Sequence, residues 1–493
     1  MTTSTGPARP TAQPARQHAG TTSSRVLGRL RRRTTPDSIR ALTTAAVGVS
    51  IVLGVLVATI FASVSSGLQL IGHQAAPEVV ATTNLYFHLN DMDAQTANVL
   101  LVGDRSGLGI DRQQAQGIYA SDETQANRAL QQAAAVAGTS PAAQRALRSV
   151  LNGLGKYEAL AAEAMYIDGA AAGSPGRPPA AALAIYRQAT DEMRTALLPA
   201  ARSLTNLNAA ALTTAYRAKR STAQTGALAV AVTGLALLAA LIGLQFFLAA
   251  RCRRLLNPAL AAATLICLVL TVVGVTALSA QASHLRVAKV EAFNSILALS
   301  QARAVSYDAN ADESRFLVDP GRAAEYQQAF LTKSLEIVDL GHVGIFQYDA
   351  AMARAVDAYH ANHADVTFGG YLGTEFRNIT FPGERAAAQK TLAAFQVYQR
   401  DDRHIRALNR AGNLSGAIAF DTSYAHGNSN WAFTRYDRAL ESVIAINQRA
   451  FAAAIHAGQQ GVRGWTGLIP GGAVIVIIIL VVAGIRPRLA EYS

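Results

Sequence analysis

Four stretches of this chain, Ala41–Ser63, Gly226–Ala250, Pro258–Ala280 and Gly467–Ile485, contain no ionised side chain. Each holds about the 20 residues that a helix needs to cross roughly 30 Å of hydrocarbon, so each is expected to be a transmembrane helix. Between the first and second lie roughly 160 residues (64–225), and between the third and fourth roughly 185 (281–466), domain-sized lengths in both cases. The pattern of span, long segment and span therefore runs twice, as a tandem pseudo-repeat. Only residues 1–40, 251–257 and 486–493 are left for the other face of the membrane.

Arginine placement in the short segments sets the expected orientation. Residues 1–40 carry Arg31, Arg32 and Arg33 among eight arginines, against the single acid Asp37. The hinge 251–257 carries Arg251, Arg253 and Arg254, and the tail carries Arg486 and Arg488. All three segments read as cytoplasmic and in contact with the lipid surface, with both long segments outside and Trp465 at an interfacial position. The first apolar run exceeds the roughly 7–15 residues of a signal-peptide core and no Ala-x-Ala site follows it, so it reads as a retained anchor.

The net charge of +12 is concentrated in the arm 1–40, where it suits an anionic leaflet at roughly 1 kcal/mol per basic residue, and no nucleic-acid-binding motif accompanies it. The arm reads as a disordered polar anchor; Thr34 and Thr35, after the three arginines, are its candidates for phosphorylation. The two cysteines, Cys252 and Cys267, lie in the hinge and the third span, so the long segments must be held by packing and not by disulfides.

Alanine, leucine, glutamine and arginine dominate both long segments, which predicts an all-α fold. Leu85, Leu89, Met92, Thr96 and Val99 share one helical face, as do Leu147, Val150, Leu154, Tyr157, Ala161 and Ala164. Breaks are expected at Gly103–Gly109, Gly138–Pro141 and Gly169–Pro179, with a bend at Pro199. In the second segment a helix is expected to end near Asp319-Pro320-Gly321 and another near Gly341. A further helical region covers Tyr348–Ala364, a loop covers Phe368–Glu384, and helix resumes through Leu408. A last helix from about Asn430 carries the seam Phe433, Tyr436, Leu440 and Val443, with Asn447 next in register. An up-and-down four-helix bundle fits each long segment.

No G-x-S-x-G, P-loop, paired C-x-x-C or kinase motif set occurs, and the cytoplasmic remainder is too short for an enzymatic domain. The expectation is a non-enzymatic protein without cofactor or catalytic residues. Asp357, His360, His363 and Asp365 have near-helical spacing, yet without an H-E-x-x-H string they read as a solvated face and not a zinc site. Asp91 and Asp93 in the first segment, and Asp312 with Glu313 at a comparable place in the second, are candidate contacts for a partner or ligand. Their plain alternative is solvated or capping residues. Arg377, Asn378, Phe381, Glu384 and Arg385, around a Pro-Gly turn, read either as a packed corner between helices or as a docking loop.

The layout resembles bacterial chemoreceptor four-helix-bundle sensing domains, duplicated in one polypeptide. The strings Asn90-Asp91-Met92-Asp93-Ala94, Ala311-Asp312-Glu313-Ser314, Arg377-Asn378-Ile379-Thr380-Phe381-Pro382-Gly383-Glu384-Arg385 and Arg486-Pro487-Arg488-Leu489-Ala490-Glu491-Tyr492 are similar to those of the actinobacterial GlnX-like family of membrane proteins. The resemblance covers roughly Ala41 to the C-terminus. It implies a relay from an extracytoplasmic amino-acid-binding lipoprotein to a cytosolic serine/threonine protein kinase, kinase G, in glutamate, aspartate or glutamine sensing. It implies no catalytic residue. A chemoreceptor-like direct ligand sensor and a structural cell-envelope scaffold are the alternative readings; transport is weaker, because the spans carry no ionisable group except the thiol of Cys267.

Overall fold

The computed structural model describes residues 35–104, 108–136, 140–252 and 257–489. Arg31, Arg32, Arg33, Thr34, Arg253 and Arg254 lie outside the described residues, as do the side chains of Thr35, Arg251 and Arg488. Among the described residues the protein is helical and has no β-strand, the one β-bridge joining Ser174 and Arg177.

Helix α1 (Thr35–Leu70) passes through a π-helical turn, Ile71–Ala75, into α2 (Ala76–Val102), and α3 (Arg112–Val136), α4 (Pro141–Ala170) and α5 (Ala180–Glu192) follow. A second π-turn, Met193–Leu197, leads into α6 (Leu198–Cys252). After α7 (Pro258–Arg286) a third, Val287–Phe293, leads into α8 (Asn294–Val318). The remainder is α9 (Ala323–Ile337), α10 (Ile345–Ala361), α11 (Gly370–Phe376), α12 (Glu384–Arg410), α13 (Leu414–Thr422), α14 (Ser429–Gly461) and α15 (Leu468–Leu489).

Two of the π-turns have a local cause. Pro77 and Pro199 each stand two residues beyond such a turn, and a ring without an N–H removes one bond of the helical ladder, which a widened turn absorbs. The bend expected at Pro199 is thus a π-turn just ahead of it. The third turn has no proline; its Val290 and Glu291 carbonyls accept from Asn378 Nδ2 at 3.1 and 2.9 Å. Gly103, where α2 ends, has φ 58°, and a Cβ there would sit 2.3 Å from the carbonyl oxygen of Gly173. Two short helices depart from the sequence expectation. Within the expected loop 368–384, Gly370 (φ 74°) opens α11, which buries Leu372 and Phe376 in the core. The second is α13, whose N-terminus is capped by Asn413 Oδ1 accepting from Gly416 N at 2.9 Å.

By packing, the described residues divide into two units. The described residues up to Leu56, with those of Ala229–Val273 and those from Gly467 onward, form the first. Its apolar side chains, Val55, Leu235, Phe246 and Ile475 among them, point outward, the arrangement expected where hydrocarbon and not water is the solvent. Its helices approach at small residues: a Cβ on Gly54 would fall 2.5 Å from Val474, and one on Gly234 2.2 Å from Thr271. Asn257 Nδ2 donates to the Gly484 carbonyl at 2.7 Å. Among the described residues four helices are long and apolar enough to cross a membrane.

The second unit contains the described residues of both Val57–Leu228 and Gly274–Thr466. The expected seams are buried: Leu85, Leu89, Met92, Thr96 and Val99 in α2, and Phe433, Tyr436, Leu440, Val443 and Asn447 in α14. A four-helix bundle is expected from the sequence in each long segment, and the two segments do not keep separate cores. One apolar core draws on residues 85–201 and a second on residues 299–444, but a third combines Val99, Leu101, Ala164 and Tyr186 with Phe316, Val318, Tyr326 and Ile418. The two long segments therefore complete a core together. At the centre α2 lies against α3 and α8, and α8 also against α9 and α14. Every residue from Leu89 to Gly103 is buried, and so is every residue from Asp308 to Asp319.

Candidate functional site

A helix buried on all sides is normally apolar all round. The centres of α2 and α8 are not: α2 buries Asn90, Asp91, Asp93, Gln95 and Asn98, and α8 buries Asp308, Asn310, Asp312, Glu313 and Arg315. Such groups persist in a core only where each finds a partner, since an isolated buried charge is prohibitively costly.

Asp308, Asp312 and Arg315 follow one another at i, i+4 and i+7 and so share a face of α8. Arg315, with 0 % exposure, holds the junction. Its Nη1 donates to Asp312 Oδ1 at 2.5 Å and to Asp308 Oδ1 at 3.2 Å, and its Nε donates to Asp93 Oδ2 on α2 at 3.1 Å, with Nη2 on the same oxygen. From α9, Lys333 Nζ reaches Asp308 Oδ1 at 2.6 Å and Asp312 Oδ2 at 2.5 Å. On the other side of Asp93 the Tyr157 hydroxyl of α4 donates to Oδ1 at 3.1 Å. Burial alone would raise the Asp308 carboxyl, but Lys333 and Arg315 outweigh it and hold the group below its ordinary range. Burial would likewise lower Arg315, and its three carboxylates reverse that.

Around this junction the two long segments are joined by further ion pairs. Arg187 of α5 grips the fully buried Asp319 with two bonds of 2.7 and 2.6 Å. Arg194 meets Glu325 at 2.6 Å, Arg202 meets Glu336 at 2.8 Å, and Asp191 accepts from Arg322 at 2.8 Å. The Arg194 and Arg322 guanidinium groups lie over the ring of Tyr326. Of these ion pairs, those of Arg194, Arg202 and Arg322 are partly exposed, and each adds at most about 1 kcal/mol.

Glu313 points away from Arg315 into a second polar pocket. Its Oε2 accepts from the Tyr398 hydroxyl at 2.8 Å and from Asn310 Nδ2 at 3.1 Å, while Oε1 has no partner among the described residues. Asp402 is paired with Arg406 at 2.7 Å, and Asp421 Oδ2 accepts from Ser314 Oγ at 3.0 Å. Three carboxyls thus surround one guanidinium. Burial, then the neighbouring Asp402 and Asp421, pushes Glu313 well above its ordinary range, and burial pushes Asp421 up to about 7. The folded protein therefore keeps a proton on Asp421 that the unfolded chain releases near pH 4. Stability from this group is fully present below that value and is lost as pH rises to about 7. Asp421→Asn is expected to melt at a higher temperature than the unaltered protein at pH 8, with the gap closing at pH 4; thermal melts at the two pH values check this.

Asp91 belongs to neither pocket. It accepts from Gln95 Nε2 at 2.8 Å and lies near Asp122, whose Oδ1 is 2.8 Å from His88 Nδ1. Burial raises Asp122 to about 6 and lowers His88 to about 4. All four acids proposed from the sequence as contacts, Asp91, Asp93, Asp312 and Glu313, are thus buried with partners inside the chain. They do not form a partner-facing surface here: Asp93 is held by Arg315 of the opposite segment, whereas Asp91, Asp312 and Glu313 are paired within their own segments.

The 377–385 string is built as a corner. Glu384 Oε2 accepts from the backbone N–H of Thr380 and Phe381 at 2.6 and 2.8 Å, and Oε1 accepts from Asn447 at 2.7 Å. Asn378 ties the corner to the π-turn ahead of α8, Arg377 Nη1 donates to the Phe368 carbonyl at 2.9 Å, and Arg385 to the Tyr359 hydroxyl at 2.9 Å. Phe381 is half-buried and Arg385 largely exposed. Glu384→Ala strips two backbone donors and Asn447 of their acceptor and is expected to cost about 1–3 kcal/mol in a denaturant titration, with Phe381→Ala costing much less. Beyond the corner, Arg486 is exposed on α15. Among the described residues no three His, Cys, Asp or Glu side chains are gathered as metal ligands, so Asp357, His360, His363 and Asp365 do not converge.

Sequence reading passed over Arg315, Asp308, Lys333 and Arg187. The available signal was negative: the run from Ser306 to Arg315 lacks any large aliphatic residue, although it continues a helix that must pack.

Residues 67–217 match a family described as an actinobacterial sensor domain, and the match takes in Asp93, Tyr157, Arg187 and Arg202, the first-segment side of the junction. No curated protein and no solved structure matches the chain. The chain is accordingly a multi-pass membrane protein with a region similar to actinobacterial sensor domains, which points to a role in sensing and signalling.

Proposed function

We propose that this protein is a non-enzymatic transmembrane signal transducer, with both long segments extracytoplasmic and both termini in the cytoplasm. In this reading an extracytoplasmic amino-acid-binding lipoprotein, loaded with glutamate, aspartate or glutamine, biases the long segments between two packings. A cytosolic serine/threonine kinase reads the change at the short basic segments. The two halves are the duplicated arms of one sensor, each with a π-turn ahead of its central helix, at Ile71–Ala75 and Val287–Phe293.

The supporting observation is the charged contact of α2 with α8 through Arg315 and Asp93. An apolar contact tolerates small slides, whereas a buried guanidinium shared among three carboxylates is satisfied only in discrete registers. A signal passed as helix displacement needs such a bistable element. π-turns supply places where a helix can take up or release one residue without breaking.

The test is crosslinking and pull-down of the full-length protein from native membranes, with and without the three amino acids. Co-capture of a binding lipoprotein and a kinase in amounts that change with amino acid is the expected result. Capture of neither, together with amino-acid binding by the purified protein itself, would replace the relay by direct sensing.

A further inference from the structure

Helices α12 and α14 run antiparallel. Glu384 meets Asn447, Phe395 lies 5.2 Å from Tyr436, and Tyr398 lies 5.2 Å from Phe433. Their large side chains point into the core and leave alanines between them, Ala393 exposed, Ala394 and Ala439 half-buried and Ala432 buried. Ala393, Ala394, Ala432 and Ala439 line a surface groove of about 480 Å³, within the range of small-molecule sites. In this register Lys390 stands at one end and Trp431 at the other, with Arg435 on the wall between, so the groove is nearly three helical turns, roughly 15 Å, long.

The charges of this groove are one-sided. Lys390 and Arg435 are exposed, and among the described residues neither is in an ion pair. The acids on the same two helices are used elsewhere: Asp402 on Arg406, Asp437 and Glu441 on Arg303, and Glu384 in the corner. The remaining acid, Asp401, does not line the groove; it lies a turn beyond Val397, level with Trp431 in this register. Arg435 is also pre-positioned. Its guanidinium carbon lies 4.8 Å from the centroid of the Trp431 ring, an arrangement that limits the side chain's freedom while leaving N–H groups to bind a carboxylate.

We propose that this groove binds a small organic anion, a carboxylate on an elongated apolar body. The carboxylate pairs with Arg435 at the Trp431 end, Lys390 supplies the second positive charge of the groove, and the body lies on the alanine floor. The floor between Arg435 and Lys390, about six residues or roughly 9 Å along the axis, favours acids of roughly 8–10 Å over short ones such as acetate. This site does not depend on the relay proposed above, and it is tested with the purified chain alone.

Only two tryptophans occur, Trp431 and Trp465. In full-length Trp465→Phe, reconstituted in nanodiscs, the fluorescence reports Trp431 only. Titration with 4-phenylbutanoate and octanoate is expected to give a saturable change, with acetate at least about tenfold weaker and octylamine inactive. Arg435→Gln with Lys390→Gln should weaken the acids about tenfold or more while the melting temperature stays put; Arg435→Gln alone serves if the double variant is unstable. Absence of saturation, an equal response to octylamine, or unchanged binding in the glutamine variants would overturn the proposal.

Discussion

Arg315→Ala is expected to destabilise the second unit by about 3–5 kcal/mol, because it leaves Asp93 and Asp312 buried without their principal cation. Lys333 still reaches Asp308 and Asp312, so Asp93 is the group left most exposed to the loss. Arg315→Lys keeps the charge but cannot span three carboxylates with one planar fork, and it should fall between alanine and the unaltered protein. The informative variant is the apolar replacement of the whole group: Arg315→Met with Asp93→Leu, Asp308→Leu, Asp312→Leu and Lys333→Met. It is expected to recover most of the lost stability, since buried ion clusters add little net free energy over well-packed hydrophobic residues. Denaturant titration of the purified protein measures all three. If the apolar variant is stable but no longer responds to the signal, the junction specifies register; if it signals normally, the charged contact is not the bistable element.

Separating the two long segments should have a comparably large effect. A core that contains Val99 and Tyr186 together with Phe316 and Tyr326 cannot be closed by either half, and Asp93 and Asp319 each find their cation across the divide. Residues 1–252 expressed alone are therefore expected to give little folded protein, and so are residues 257–493 alone. Co-expressed, they should copurify as a folded pair. Asp319→Ala in one partner, which strips Arg187 of its carboxylate, should weaken the pairing. Two halves that each melt cooperatively when expressed alone would show instead that each segment folds without the other.

Much of the fold was legible along the chain because its causes are local. Spans follow from uncharged length, helices from alanine-rich composition, and breaks from Gly103, Gly109 and Pro320, whose backbone constraints act on neighbouring residues. The apolar seam of α14 from Phe433 to Val443 was readable from its spacing, and Asn447 followed it in register. The two short helices α11 and α13 were not, since two turns carry too few periods to distinguish them from loop.

The acids show where local reasoning stops. Asp93, Asp312 and Glu313 have the sequence surroundings of a solvated helix face, and spacing marks them as neighbours on a helix without saying what covers that helix. By itself the sequence determined a four-span, all-helical membrane protein with two long segments, because hydrocarbon thickness and helical period act over tens of residues. The tertiary structure alone decided that the segments share a core and that Asp93 meets Arg315, 222 positions away. The physical reason is burial: whether a carboxylate is a surface charge or half of an ion pair depends on the water removed by distant parts of the chain, and no pattern within one helix carries that information.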